Sequence, residues 1–249
     1  MPFTFSHPAI VIGLSKSKLR LSLTALVAGS IVPDFEFFFR LKQTHNYAHH
    51  WPGVLVFDIP VAVFLCFLYH AYVKQTIILH LPKWFRSRFK EAVSFNWNKY
   101  VVENKTNVFT SLLIGIVSHL LWDAFTHDDG AFVLLISFLS STVLLAGNAV
   151  PVYGILQVIS SIWGLWIIYK EIAAMPVLGD IDIMGKSRNN YRIIFIIMGI
   201  TILAIRLLLF PQYHSKPDLL IATIGSFIYA AIFTSIAFTS LNKIRLQEL

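Results

Sequence analysis

The sequence holds little charge and almost no cysteine, and both shortages limit what the protein can be. Charged residues make up 13% of its 249 residues and hydrophobic residues 56%, whereas an ordinary soluble domain is roughly 25% charged. A soluble fold of this length cannot bury so much apolar surface, so we expect an integral membrane protein. The single cysteine, Cys66, excludes an intrachain disulfide.

Signatures of several enzyme and binding classes are also missing. The sequence has no G-x-S-x-G elbow, no P-loop and no H-E-x-x-H, and it resembles no nucleic-acid-binding module. We therefore interpret its net charge of +7 as basic residues in cytoplasmic loops, which face lipids with anionic head groups. The first residues carry Pro8 within the apolar part and their basic residues after it, so we expect this segment to be retained.

Long apolar runs predict an all-α bundle of about six to seven transmembrane helices, forming one membrane domain over residues 1–249. Six runs are clear: 54–73, 108–125, 131–147, 151–169, 191–211 and 220–241. A seventh, 21–39, contains Pro33. A residue that precedes proline avoids the α region, so we expect this helix to break there.

Loop charges indicate an orientation. Residues 74–107 form the most basic segment between runs, with seven Lys and Arg residues, which predicts a cytoplasmic loop. Residues 126–130, THDDG, have no Lys or Arg and suit the opposite side. The basic residues Lys186, Arg188 and Arg192 would then lie outside, against the rule.

The run VSHLLWDAFTH carries the clearest polar spacing. His119 and Asp123 lie four residues apart and project from one face of a helix, where they can share a divalent ion. His127 follows after four more residues, and on a straight helix it lies about 12 Å along the axis from His119. Either Asp123 bridges two ions, or the helix unwinds near Thr126. A solvated polar helix end is the alternative.

Other acids and histidines fall near the same membrane boundary under this topology, namely Asp34, His49 and Asp58. Ionisable groups at membrane depth usually have a partner and a role, so their convergence with Asp123 favours a metal site. Asp34 alone suits a helix N-cap. Asp58 could be a ligand, a residue that orients a histidine ligand or a residue before a proline kink, and we favour the second role. The histidines at 45, 49 and 50 could also be exposed on a loop.

The residue types alone do not decide the roles of two further features. A polar stripe of Gln157, Ser160, Ser161 and Gly164 lies along one helix face and predicts close helix packing. His7 starts on the cytoplasmic side and reaches the predicted cluster only if the following segment, PAIVIGL, folds back into the bundle.

Several segments together resemble a bacterial membrane-protein family, domain of unknown function 4184. They are MPFTFSHPA, ALVAGSIVPDFEFF, HHWPG, IGIVSHLLWDAFTHDDG and PVYGILQVISSIWG, all within residues 1–165. A more distant likeness is to bacterial membrane-bound metal-dependent hydrolases, and it implies His7 as a further ligand beside Asp34, His49, His119 and Asp123. His119 and Asp123, with His127 as a later histidine, also resemble part of the zinc site of secreted phospholipase C and single-strand nucleases. The further His-x-x-x-Glu element of those enzymes has no counterpart in the last two runs.

These observations lead to one main hypothesis and two rivals. The main one is a bacterial inner-membrane protein with a divalent-metal site, most simply zinc, that hydrolyses a lipid-like or envelope ester or phosphodiester. Asp123 and His127 would carry the catalytic roles, with Asp58 orienting a ligand. The rivals are a proton-coupled transporter, with polar groups at successive depths, and a structural assembly protein.

Overall fold

The computed structural model describes residues 3–44, 46–49, 51–179 and 185–247, except the side chains of 185–187 and 240–247. Most of these residues are helical. The α-helices are α1 Pro8–Val11, α2 Leu23–Ile31, α3 Phe35–Arg40, α4 Trp51–Gly53, α5 Ile59–Leu68, α6 Lys74–His80, α7 Lys83–Arg86, α8 Lys90–Ser94, α9 Trp97–Glu103, α10 Lys105–Thr126, α11 Ala131–Leu135, α12 Ser137–Ser140, α13 Val152–Ala173, α14 Gly185–Leu209 and α15 Lys216–Gln247.

Shorter elements connect these helices. The 3₁₀ turns are Thr4–Ser6, Ile12–Lys16 and Val32–Asp34, and the π-helical turns are Val54–Asp58 and Tyr69–Val73. The two strands are β1 Thr142–Leu145 and β2 Asn148–Pro151. The predicted basic loop 74–107 is largely helical, since it contains α6 to α9.

Five described stretches are long and apolar enough to cross a membrane, which confirms the predicted polytopic helical class. They are Trp51–His80, Lys105–Leu135, Val152–Ala173, Arg188–Leu209 and Lys216–Thr239. Each contains most of one predicted run. A stretch of about 20 apolar residues is what spans the hydrocarbon core, so the architecture fits a multi-pass membrane protein.

The prediction of a transmembrane helix at 131–147 is wrong. This run forms the short helices α11 and α12 and then β1, which pairs antiparallel with β2. The strands are joined by Ala146 and Gly147, at φ 49° and 81°. Two consecutive residues with positive φ make the tight turn whose twist suits a hairpin, and glycine adopts it at no steric cost.

The predicted break at Pro33 is present. Helix α2 ends at Ile31, a 3₁₀ turn covers Val32–Asp34, and α3 begins at Phe35. Val32 keeps α-helical angles, φ −63° and ψ −34°, so the change comes from Pro33 itself, which has no N–H to donate to the helix. Asp34 thus lies in an irregular segment between two helices.

By their contacts, the elements fall into two compact units. The first comprises Met1–Asp34, Tyr47–Phe64 and Val101–Ala174, and the second Phe35–Asn46, Leu65–Tyr100 and Met175–Leu249. Within the second unit, the Tyr229 hydroxyl donates to the main-chain oxygen of Phe39 at 3.1 Å, and the His80 and Tyr191 rings stack. The predicted metal ligands all belong to the first unit.

Helices α2 and α10 approach closely within the first unit because small residues face each other. A Cβ atom added at Gly29 would lie 2.3 Å from the oxygen of Leu112, and one added at Gly115 would lie 2.5 Å from the oxygen of Leu26. Backbones can touch at this distance only where side chains are absent. The contact fixes α10, which carries His119 and Asp123, against the residues that precede Asp34.

The N-terminal segment folds back onto α13. The backbone N–H of Phe3 donates to the Ser161 hydroxyl at 2.9 Å, and the indole N–H of Trp122 donates to the Ser160 hydroxyl at 3.0 Å. The predicted polar stripe on α13 therefore serves packing, as expected. The same contacts meet the condition under which His7 can reach the acids and histidines of α10.

Candidate metal centre

Four side chains from separate parts of the first unit converge on one point. Asp34 comes from the turn after α2, His49 from the loop before α4, and His119 and Asp123 from successive turns of α10. One potential ligand atom from each lies within 4.8 Å of all the others. The spacing of His119 and Asp123 predicted their pairing, and the fold adds Asp34 and His49, as expected from their common level.

Four of the six distances between these atoms lie near the value for tetrahedral coordination, and all six are within 4.8 Å. His119 Nε2 lies 3.2 Å from Asp123 Oδ2 and 3.6 Å from Asp34 Oδ1. His49 Nε2 lies 3.5 Å from Asp123 Oδ2 and 3.6 Å from Asp34 Oδ1. Zinc bonds of about 2.0–2.1 Å place the ligand atoms of a tetrahedron about 3.3–3.4 Å apart, whereas an octahedron of similar bonds requires about 3.0 Å.

Several of these atoms lack hydrogen bonds although they are buried. Among the described residues, Asp34 Oδ1, His119 Nε2 and both carboxylate oxygens of Asp123 have no hydrogen-bond partner. Buried polar atoms are nearly always paired, and each exception calls for an explanation. A cation at the centre of the four side chains would satisfy three of these atoms together, and the donor set of two imidazoles and two carboxylates suits zinc.

Neighbouring groups hold two of the ligands in position. The main-chain oxygen of Ser30 can only accept, so His119 Nδ1, 2.8 Å away, carries the ring proton. Its Nε2 lone pair then faces Asp34 and Asp123. The Thr4 hydroxyl donates to Asp34 Oδ2 at 2.5 Å, which leaves Oδ1 directed at the two histidines. Such outer contacts orient the ligands of a metal and fix their tautomers.

His49 sits in a strained loop. Its φ angle is 67°, in the left-handed region that side chains other than glycine rarely adopt. Holding a residue there costs of order 1–3 kcal/mol, and such strain concentrates at functional sites. The strained backbone brings Nε2 of His49 to both carboxylates. His45 and His50 lie outside the described residues.

The surroundings of His49 and His7, which lie outside the membrane-spanning stretches, shift their pKa in opposite directions. Burial opposes the charged form of His49, but its contacts with Asp123 and Asp34 outweigh burial and raise its pKa to about 10. Burial, assisted by the neighbouring His119, lowers the pKa of His7 to about 3. Without a metal, a proton on His49 thus balances part of the negative charge of the two aspartates.

His7 and His127 lie on the other oxygen of Asp123. His7 stacks on the His119 ring with centroids 4.0 Å apart, and its Nε2 is 3.7 Å from Asp123 Oδ1. Helix α10 ends at Thr126, so the predicted unwinding occurs. His127 turns back, with Nδ1 3.6 Å from Asp123 Oδ1 and 3.1 Å from the Asp123 main-chain oxygen.

Accessibility divides the site into an inner and an outer side. The side chains of Asp34 and His119 are 1% and 0% exposed, whereas those of His49 and His127 are 17% and 22% exposed. A small molecule would therefore approach from the side of the two outer histidines. Asp58 is fully buried at the end of a π-helical turn and is not one of the four clustered side chains.

Sequence reasoning missed the groups that support the ligands. Thr4, Ser30, Gly29 and Gly115 each looked like ordinary small residues in apolar stretches. A signal was available for the glycines, because small residues in membrane helices mark close packing. None existed for the Thr4 and Ser30 contacts, which join segments 30 and 89 residues apart.

Comparison with known proteins gives a family without an activity. No curated protein and no solved structure matches the chain. The likeness to metal-dependent hydrolases therefore rests on the motifs alone. A family model described as Domain of unknown function (DUF4184) matches residues 1–241, so it extends the resemblance within residues 1–165 over the last two apolar helices. The chain belongs to the DUF4184 family.

Proposed function

We propose that the protein binds a divalent cation, zinc, through Asp34, His49, His119 and Asp123, and that it is a metal-dependent hydrolase. The observation that carries the proposal is the set of four ligand-to-ligand distances between 3.2 and 3.6 Å. These four distances are close to those between the ligands of a tetrahedral zinc ion, and three of the four ligand atoms are buried without a hydrogen bond.

Hydrolysis requires a coordination position on the zinc ion in addition to the four that the protein ligands occupy. Zinc expands from four to five ligands in transition states, and the partly exposed side next to His49 is where a fifth group would enter. When bound, the ion supplies Lewis acidity toward an ester or phosphodiester oxygen and acidifies a coordinated water. A closed four-ligand site without a fifth position would instead make the zinc structural.

The remaining predicted site residues receive supporting roles in this proposal. Asp123 would hold the cation through Oδ2, while its Oδ1 lies 3.6 Å from Nδ1 of His127. His127 keeps its proton on Nδ1, toward the main-chain oxygen of Asp123, so its Nε2 is free to exchange a proton with a substrate. Asp58, buried in the same unit, is proposed to orient a ligand.

His7 is proposed as a ligand of a second, weaker ion. Its Nε2 lies 3.7 Å from Asp123 Oδ1, the oxygen that the first ion does not use. Asp123 would then bridge two ions. With only His7 and Asp123 as protein ligands, the second ion is expected to bind at an excess of metal.

The apolar helices support a location in a membrane, which we propose to be the bacterial cytoplasmic membrane with the basic segment 74–107 inside. The metal centre then lies at the non-cytoplasmic boundary. A substrate that reaches this level would be a lipid or an envelope component with an ester or phosphodiester bond.

Metal analysis of the purified full chain in neutral detergent tests the centre. We expect one tightly held zinc ion per wild-type chain and a loss of at least about tenfold in affinity for His119→Gln and Asp123→Asn. His214→Gln removes an exposed histidine and is the matched control. Equal zinc content in all four proteins would refute the site.

Hydrolysis of a nitrophenyl ester and of a bis-nitrophenyl phosphodiester tests the activity separately. Turnover that disappears in the two ligand variants and on chelation, and returns when zinc is added, supports the hydrolase. Zinc binding without turnover on any ester or phosphodiester lipid would leave the metal centre and refute the hydrolase.

A further inference from the structure

A second site lies in the other unit and is independent of the proposed metal centre. We propose that Arg40, Lys42 and Arg206 form a binding site for a phosphate group, supplied either by a phospholipid head group or by free phosphate. The three side chains line a cavity of about 160 Å³ together with Leu41, Phe210 and Tyr213.

Arg206 is the centre of this site. It lies in the last turn of α14 and is 3% exposed. Its Nε donates to the main-chain oxygen of Leu41 at 2.9 Å, and its Nη1 donates to that of Tyr213 at 2.7 Å. Nη2 has no hydrogen-bond partner among the described residues. Buried charges are normally paired, and the two carbonyls carry no charge to balance the guanidinium.

The backbone is shaped to hold this arginine. Leu41 follows the end of α3 with φ 52°, in the left-handed region, and this conformation brings its carbonyl to Arg206. The Lys42 ammonium lies 5.0 Å from the centre of the Tyr213 ring, so Tyr213 contacts both cations. The arginine fork is therefore fixed before any ligand arrives, which reduces the entropy lost on binding.

The local charge favours an anion even when the nearby acids are counted. Arg40 pairs with Glu36 at 2.8 Å. Asp218 interacts electrostatically with Arg206, while its Oδ1 accepts from the backbone N–H of Gln43 at 2.8 Å. Three cations against these two acids leave a net charge of +1, with Lys42 and Arg206 lacking a direct ion pair among the described residues.

Size and position indicate the chemical class of the ligand. The cavity is large enough for more than one water molecule, and this leaves room for a tetrahedral oxyanion. Arginine, lysine and a fixed guanidinium N–H are the groups that bind phosphate. The site lies at the end of the apolar stretch Arg188–Leu209, where a membrane would present its head groups.

The test measures binding by the purified full chain in neutral detergent. One arm titrates inorganic phosphate against chloride at equal ionic strength and follows the midpoint of thermal unfolding. The other adds phosphatidylglycerol or diacylglycerol with the same acyl chains and counts bound lipid by native mass spectrometry. We expect saturable binding of phosphatidylglycerol or of phosphate, but not of diacylglycerol.

Variants assign the binding to this cavity. Lys42→Gln and Arg206→Lys should each weaken the affinity about tenfold, because the first removes a charge and the second removes the guanidinium N–H group that has no partner. Lys216→Gln removes an exposed charge nearby and should retain wild-type affinity. Should Arg206→Lys fail to fold, Lys42→Gln carries the test.

The responses to the two ligands show which of them supplies the phosphate group. A response to phosphatidylglycerol alone identifies a lipid head group, and a response to inorganic phosphate alone identifies a free anion. The site is refuted if neither ligand binds, or if Lys216→Gln loses as much affinity as Lys42→Gln.

Discussion

His119 reaches across a helix contact to Ser30, whose main-chain oxygen lies 2.8 Å from the imidazole Nδ1. This contact fixes both the position and the tautomer of a buried histidine that has no other polar support from α2. It exists because the glycines of α2 and α10 let the two backbones touch. The geometry of the candidate metal centre therefore depends on helix packing.

A larger residue at the contact between α2 and α10 should lower the zinc affinity without touching a ligand. A Cβ atom at Gly115 would lie 2.5 Å from the oxygen of Leu26, so Gly115→Ala must push α2 away and move Ser30. We expect a loss of about 1–3 kcal/mol in the free energy of unfolding and a measurable drop in zinc affinity. Gly154→Ala, whose added Cβ makes only ordinary contacts, is the control.

Both effects can be read by thermal unfolding and by zinc titration of the detergent-solubilised chain. If Gly115→Ala matches Gly154→Ala in both measurements, the contact between α2 and α10 does not position the metal ligands.

Removing the hydroxyl that orients Asp34 should lower the zinc affinity without leaving a cavity in the core. Thr4→Val keeps the shape of a buried side chain but loses the hydrogen bond to Asp34 Oδ2. We expect zinc to bind about tenfold more weakly, as for other outer contacts of metal ligands. Thr4→Ser retains the hydroxyl and should restore the affinity. Identical affinities for the valine and serine variants would contradict this role.

Replacing His127 should separate catalysis from metal binding. His127 is not one of the four clustered ligands, and it is the most exposed of the histidines around Asp123. His127→Gln should keep the tightly held zinc but lower the turnover of an ester or phosphodiester by about 10²–10⁴-fold. Metal analysis and initial rates on the same preparation check both halves. Loss of the tight zinc would instead make His127 a ligand.

Replacing His7 should change the number of ions and not the affinity of the first. The proposed second ion uses His7 and the Oδ1 atom of Asp123. At a zinc excess we expect two ions per wild-type chain and one per His7→Gln chain, measured after rapid desalting. If His7→Gln loses the tight ion, His7 is a ligand of that ion; if the wild type never exceeds one ion, no second site exists.

The comparison of sequence and structure shows which interactions are local. The break at Pro33 was predictable because proline interrupts a helix locally, although Val32 before it keeps α-helical angles. The pairing of His119 with Asp123 was predictable because residues four apart share a helix face. The hairpin at 142–151 was not, since its apolar residues also fit the composition of a transmembrane helix and only the turn at Ala146 and Gly147 distinguishes the two.

The sequence by itself determined the helical class, the apolar stretches and one pair of ligands, because these depend on composition and on spacing within one turn or one helix. The predicted topology brought Asp34 and His49 to the same membrane boundary, but only the tertiary structure placed their ligand atoms within 4.8 Å of that pair. It alone decided that Thr4 and Ser30 hold the ligands and that Arg206 and Lys42 line one cavity. Such contacts join segments far apart in the chain, and their geometry is set by how closely the helices pack.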